Sequence, residues 1–153
     1  MAKIEAEVAA VIAEGRDMTI ATLMPDGAPH ASTVSYASRG EVIYFGCSAK
    51  SQKAANLARD PRVALTINLP YRDWAEIRGV AFQGRARRLS AGADLEAAAL
   101  LFMNKFSEIA QFVSASPDEL ALFEVTPTGV ALLDYRKGFG HVEYAGRAPA
   151  TAA

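Results

Sequence analysis

The chain has 153 residues, of which 51% are hydrophobic and 22% are charged. Its 16 basic and 17 acidic residues leave a formal net charge of -1. This balance argues against nucleic acid as the main partner, because a surface that binds a duplex is strongly basic. The high apolar content argues against disorder, and the length fits one domain that folds without a structural metal.

The cysteine content and the hydropathy profile indicate a cytoplasmic protein. Cys47 is the only cysteine, so an intrachain disulfide and a cysteine-based zinc site are both excluded. The first 17 residues carry acidic side chains at short intervals and lack the apolar core of a signal peptide. We expect no membrane partner, because no segment approaches the roughly 20 apolar residues that span a bilayer.

The first third of the chain predicts a helix and three strands. A helix is predicted over residues 2–14 by an apolar stripe at helical spacing, which consists of Ile4, Val8, Val11 and Ile12. Three strands follow, over residues 18–24, 29–37 and 41–46. The first two are joined by Pro25-Asp26-Gly27, a sequence typical of a tight turn. The three strands therefore form an antiparallel meander.

A short helix and two strands are predicted in the middle of the chain. Ser51 is a good N-cap and Pro61 prevents continuation, so the helix covers residues 51–59. Residues 62–68 alternate apolar and polar side chains, the period of a half-buried strand, and the alternation returns over residues 75–89. Two glycines in that longer strand indicate a bend or a close backbone approach, Gly79 and Gly84.

The last third predicts one longer helix and two closing strands. Apolar residues share one helical face over residues 93–106. Ser116-Pro117-Asp118-Glu119 has the spacing of a capping box, with proline at the first helical position. The closing strands are expected over residues 121–126 and 129–135, on either side of Pro127.

These elements predict a mainly β fold, a small antiparallel barrel of six or seven strands with peripheral helices. The βαβ spacing of a Rossmann sheet does not occur in the sequence. We assign residues 1–140 to one domain. The chain after Arg136 shows no period, so we expect residues 141–153 to form a flexible tail.

The segment between the third strand and the short helix could hold a phosphate. A helix start presents backbone amides and the positive end of the helix dipole to an anion. Two hydroxyls and two ammonium groups lie at the same place, from Ser48, Ser51, Lys50 and Lys53. The alternative is that both lysines are solvated surface residues. The usual nucleotide-loop, zinc-hydrolase and serine-hydrolase motifs do not occur in the sequence.

The chain resembles the pyridoxamine 5′-phosphate oxidase-like family, whose members fold as FMN-binding split β-barrels. The resemblance covers about residues 5–135. Its matching segments occur in the family's order and spacing, over residues 19–29, 42–45, 50–57, 60–65, 82–86 and 123–127. The resemblance implies an antiparallel six- to seven-stranded split β-barrel that forms a homodimer, with FMN bound in the groove between subunits.

The resemblance also implies a set of cofactor-binding positions. Four residues of the second strand would line the flavin ring edge and the ribityl chain: Ser32, Thr33, Val34 and Ser35. Two residues of the third strand would follow them, Phe45 and Gly46. The phosphate positions match Ser51, Gln52 and Lys53, with Lys50 as a helper. Gln83 lies near the position of a polar group that faces the ring.

The function that the resemblance implies is an FMN-dependent oxidoreductase acting on an unidentified small molecule. The family's true oxidase has arginines at the positions of Ser32 and Gln52, so pyridoxamine phosphate oxidation itself is not expected. A deazaflavin coenzyme is an alternative to FMN. The alternative function is a flavin-, deazaflavin- or haem-binding protein without turnover, serving as a reservoir, sensor or stress protein. Residues 136–141 either reach a substrate or the partner's flavin, or lie on the surface.

Overall fold

The computed structural model of the chain describes residues 2–112 and 119–146. The described helices are α1 (Ala2–Glu14), α2 (Gln52–Arg59), α3 (Ala93–Lys105) and α4 (Ile109–Phe112). The described strands are β1 (Asp17–Leu23), β2 (Pro29–Arg39), β3 (Val42–Ser48), β4 (Arg62–Asn68), β5 (Arg78–Arg88), β6 (Leu120–Asp134) and β7 (Val142–Gly146). None of the described helices is long and apolar enough to cross a membrane.

The seven strands form one antiparallel sheet in the order β3-β2-β1-β4-β5-β6-β7. Because β3 also pairs with β6, six of the strands close into a barrel and β7 is an additional strand. Along one edge, β6 pairs first with β3 and then with β7. Along its other edge, β6 pairs with β5. The predicted antiparallel barrel of six to seven strands with peripheral helices is confirmed.

The barrel interior is a continuous apolar cluster that α1 helps to cover. Val8, Val11 and Ile12 of α1 are at most 2% exposed, so the predicted stripe faces the core. Fully burying one such side chain stabilises the fold by roughly 1.5–3 kcal/mol. A second cluster lies beneath α3, where Phe102 and Phe106 belong to the same apolar group as Leu122.

The predicted glycine positions are places of close backbone approach. A β-carbon at Gly79 would lie 2.7 Å from the carbonyl oxygen of Ile67, and one at Gly84 would lie 2.5 Å from that of Thr126. The register between β5 and β6 shifts between Gln83 and Gly84, as expected for a bulge.

The two predicted closing strands are one strand. β6 runs through Pro127, which lies opposite Gly84 at the register shift. A proline is tolerated at a bulge because the regular ladder of hydrogen bonds is already interrupted there. The predicted strand over residues 75–89 begins later, at Arg78, because Asp73 caps a short 3-10 turn over Trp74–Glu76.

The prediction that the chain is a flexible tail from residue 141 onward is wrong for Val142–Gly146. These residues form β7, which pairs with residues 129–133 of β6. Five residues are too few to show a clear period in the sequence, and pairing with an available strand edge orders them. Residues 147–153 and most of the capping-box sequence at 116–119 lie outside the described residues.

Candidate cofactor site

The barrel is only partly closed between β2 and β3. Their shared ladder covers residues 36–39 of β2 and residues 42–45 of β3. Over residues 43–48, β3 pairs with β6 along its other edge, and residues 46–48 have no described partner on the edge that faces β2. Residues 29–35 of β2 pair with β1 along one edge and with no described strand along the other. We call this opening the β2–β3 gap. It is bordered by residues 29–35, by residues 46–48 and by the first turn of α2, which follows β3.

Hydroxyl groups shape the turn that leads into α2. The Ser48 hydroxyl accepts a hydrogen bond from the Lys50 amide at 3.2 Å. The Ser51 hydroxyl accepts one from the Ala54 amide at 3.3 Å, which confirms the predicted N-cap. The amides of Gln52 and Lys53 are first-turn donors without a partner inside the helix. They are therefore available to an anion at this end of the helix.

Two cations lie at the start of α2. Lys50 is exposed and Lys53 is half-buried. Within residues 2–112 and 119–146, neither lysine forms an ion pair. Arg62, by contrast, is paired with Asp60 at 2.7 Å. The hydrogen bonds that Arg62 donates lower the pKa of Asp60 to about 2, so the Arg62 guanidinium already has an anionic partner.

The predicted residues of β2 are divided between two faces. Ser32 and Val34 lie opposite Ile20 and Met18 of β1, whose side chains are buried in the core. The hydroxyl oxygen of Ser32 is buried and has no hydrogen-bond partner among the described residues. Thr33 and Ser35 lie on the outer face, where the Ser35 hydroxyl donates to Asp17 Oδ1 at 2.7 Å. Ser32 is therefore the predicted strand residue with an unused polar group on the inner side.

A buried asparagine joins α2 to β1. Asn56 is 0% exposed, and its Nδ2 donates to Thr22 Oγ1 at 3.0 Å. Its Oδ1 accepts from Gln52 Nε2 at 2.9 Å, so the side chain of Gln52 is turned along the helix toward the barrel. No motif in the sequence indicates Asn56 or Thr22 as site residues. The available sequence signal was that Asn56, a polar residue, stands next to Leu57 on the apolar side of a short helix.

The two predicted residues of β3 differ in what they can offer. Phe45 is 0% exposed and stacks on Phe123 with ring centroids 5.2 Å apart. Only its main chain could therefore contact a cofactor. Gly46 is half-buried and follows the last residue of β3 that pairs with β2.

Gln83 lies elsewhere in the protomer. It is exposed on the outer face of β5, three strands away from β2, which corresponds to about 14 Å at the usual strand spacing. It lines a cavity of about 340 Å³ whose wall also contains Thr19, Ala21, Thr66, Ala81 and Tyr144. Within one protomer, the structure does not bring Gln83 to the first turn of α2.

Residues 136–141 lie at the opposite end of the barrel from α2, because they follow the end of β6 that pairs with the start of β5. The segment belongs to an exposed aromatic group. Trp74 and Phe139 are 65% and 76% exposed, and their ring centroids are 6.0 Å apart. Within one protomer this segment is therefore remote from the β2–β3 gap.

A protein-family model matches most of the chain. The model described as pyridoxamine 5′-phosphate oxidase matches residues 4–134. The chain belongs to the pyridoxamine 5′-phosphate oxidase-like family. No curated protein matches the chain.

Several solved structures are similar to this member of the family. A haem-binding protein from Mycobacterium smegmatis is 25% identical with a TM-score of 0.78, and the match covers 95% of this chain but 58% of that protein. A conserved hypothetical protein from Mycobacterium tuberculosis is 28% identical with a TM-score of 0.76, covering 97% and 94% of the two chains. The haem storage protein HutZ from Vibrio cholerae is 20% identical with a TM-score of 0.67, covering 80% and 89%.

Proposed function

We propose that the chain binds FMN in the β2–β3 gap and acts as a flavin-dependent oxidoreductase on a small molecule. The observation that carries the proposal is that the buried Ser32 hydroxyl, without a partner among the described residues, lies at the same opening as the first-turn amides of α2. Membership of the pyridoxamine 5′-phosphate oxidase-like family supports it.

The phosphate of FMN would lie at the first turn of α2. The amides of Gln52 and Lys53 donate to its oxygens, and the ammonium groups of Lys53 and Lys50 provide compensating charge. Each charge-assisted hydrogen bond contributes roughly 1.5–3 kcal/mol, so two or three of them are sufficient to fix the phosphate.

The remainder of the cofactor would follow the free edge of β2. The Ser32 hydroxyl donates to or accepts from the ribityl chain, and main-chain groups of residues 29–35 are available along the same edge. The main chain at Phe45 and Gly46 forms the opposite side of the gap. Bound FMN supplies reversible hydride transfer, while these residues orient it and exclude water from it.

We further propose a homodimer, because one protomer does not collect all of the predicted contacts. The outer sheet face that carries Gln83 presents small side chains without a covering element in the described part of the chain. A second copy placed on this face would bring Gln83 and residues 136–141 to the flavin that is held mainly by the other copy.

The proposal is tested by binding. The purified chain is titrated with FMN, riboflavin and a deazaflavin coenzyme, and flavin absorbance and fluorescence are recorded. We expect FMN to bind more tightly than riboflavin. Lys53→Ala should weaken FMN binding about tenfold, equivalent to about 1.4 kcal/mol. Arg39→Ala is the charge-matched control, because Arg39 is exposed at the β2–β3 turn, at the other end of β3 from α2.

Equal affinity for FMN and riboflavin would refute the phosphate assignment. Catalysis is tested separately, by adding NADH or NADPH to the FMN-loaded protein under nitrogen. An oxidoreductase that uses either donor should lose its flavin absorbance near 450 nm within roughly seconds to minutes, since typical kcat values exceed 1 per second.

A second candidate function is haem binding without turnover. It is favoured by the similarity to the Mycobacterium smegmatis protein, which is named as haem-binding. Haem iron requires an axial ligand, and histidine is the most common one. The sequence offers His30 and His141. A Soret band that shifts on titration with haemin, and disappears when one of these histidines is replaced, would favour this function over flavin catalysis.

A further inference from the structure

We propose that His30 is an additional contact of the cofactor phosphate, an inference that rests on the proposed function. His30 precedes Ser32 by two positions on β2, so both side chains lie on the same face of the strand. The Nδ1 atom of His30 and the hydroxyl oxygen of Ser32 are both buried, and neither has a hydrogen-bond partner among the described residues.

The register of the sheet places His30 beside α2. It lies directly opposite Thr22 of β1. Residues directly opposite in an antiparallel pair share a face, with β-carbons about 4.5–5.5 Å apart. Thr22 is 1% exposed and is hydrogen-bonded to Asn56 of α2. The imidazole of His30 is therefore on the helix side of the sheet.

A hydrogen-bonded connection leads from this position to the first turn of the helix. Asn56 accepts from Gln52, the residue whose amide we assign to the phosphate. His30 thus borders the same opening from the strand side that Gln52 and Lys53 border from the helix side. An anion bound between them would be contacted from both.

Two buried polar atoms on one face of β2, both without a hydrogen-bond partner among the described residues, are suited to contact a ligand. Leaving a buried polar group without a hydrogen bond costs about 1–3 kcal/mol, so such groups are uncommon in folded proteins. The other buried side-chain atoms without partners in the described part belong to Glu41 and His141, which lie in the β2–β3 turn and just before β7. The pair on β2 is therefore the one that borders the gap.

Imidazole chemistry suits a phosphate oxygen. A histidine ring nitrogen donates a hydrogen bond in the appropriate tautomer, and the protonated ring adds a positive charge. Ser32 and Gln52 are neutral, so in this chain the strand side of the phosphate site would receive its donor from His30.

The test compares FMN with riboflavin, which lacks the phosphate. We expect His30→Ala to weaken FMN binding about tenfold and to change riboflavin binding less than about twofold, as measured by flavin fluorescence quenching. His30→Leu, which fills most of the same space without a hydrogen-bonding atom, is a second variant in case the alanine variant does not fold; circular dichroism establishes folding. Glu41→Gln is the matched control, because it alters a buried unpartnered group away from the gap and should leave both affinities unchanged.

Three results would overturn the inference. Unchanged FMN affinity in a folded His30 variant would remove His30 from the site while leaving the proposed function intact. Equal losses for FMN and riboflavin would place His30 away from the phosphate. Failure of the unmodified chain to bind FMN would refute the proposed function, and this inference with it.

Discussion

At the scale of single residues, Asn56 links α2 to the barrel at the site. It is fully buried, and both ends of its amide are hydrogen-bonded, one to Thr22 and one to Gln52. Its side chain fixes how α2 lies against the barrel. It therefore also fixes where the first-turn amides point.

Replacing Asn56 with alanine should destabilise the protein by about 1–3 kcal/mol, because Thr22 loses its partner in a buried position. The free energy of unfolding is measured by urea denaturation. Asn68→Ala is the control, since Asn68 is exposed and its removal should cost less than about 0.5 kcal/mol. Similar losses in the two variants would show that the buried network does not hold the helix.

Local chemistry explains which site residues the sequence could indicate. The Ser51 hydroxyl caps an amide only three residues away, so its role could be predicted from the short segment that begins at Ser51 and ends before Pro61. The partners Asn56 and Thr22 are 34 positions apart in the chain. Such a contact exists only once the barrel has placed β1 next to α2. His30 was indicated by no motif, because its significance depends on sheet register.

At the scale of elements, the bulge between β5 and β6 determines how the barrel curves. The carbonyl of Thr126 approaches Gly84 so closely that no side chain fits between the two backbones. The same irregularity accommodates Pro127 in a long strand. Sequence patterns indicated the glycine correctly but treated the proline as a strand break, because the partner strand that tolerates it is not visible in the sequence.

Gly84→Ala should therefore lower the free energy of unfolding by about 1–3 kcal/mol, because the added methyl group forces the two strands apart. Thermal unfolding followed by circular dichroism measures the effect. Gly46→Ala is the comparison, since its β-carbon would meet the side chain of Leu122 at 3.4 Å, a contact that a rotamer adjustment relieves. If Gly46→Ala were the more destabilising of the two, the backbone clash at the bulge would not be the controlling factor.

At the scale of the whole molecule, the outer sheet face that carries Gln83 is the proposed contact between two copies of the chain. Residues of five strands line the cavity of about 340 Å³, and an exposed concave face of this kind is typical of an interaction surface. The number and antiparallel order of the strands could be predicted from alternation and turns. The uncovered face of the sheet could not be predicted from the sequence, because it depends on which strands become neighbours in the fold.

Ala81→Arg should convert the proposed dimer into a folded monomer and reduce its affinity for FMN, because a charged side chain would be buried in the contact. Sedimentation velocity measures the change in mass. Ala99→Arg on the exposed side of α3 provides a control with the same substitution. A dimer that persists in Ala81→Arg, or an unmodified chain that sediments as a monomer, would contradict the proposed arrangement.

The pairing of β3 with β6 has a consequence for biosynthesis. Ile43 and Val125 are partners in this ladder although roughly 80 residues separate them in the chain. During translation the first five strands leave the ribosome before the strand that closes them exists. Distant pairings of this kind slow folding, and the unfinished sheet exposes strand edges that can join other nascent chains. Premature termination before Leu120 would leave an aggregation-prone fragment.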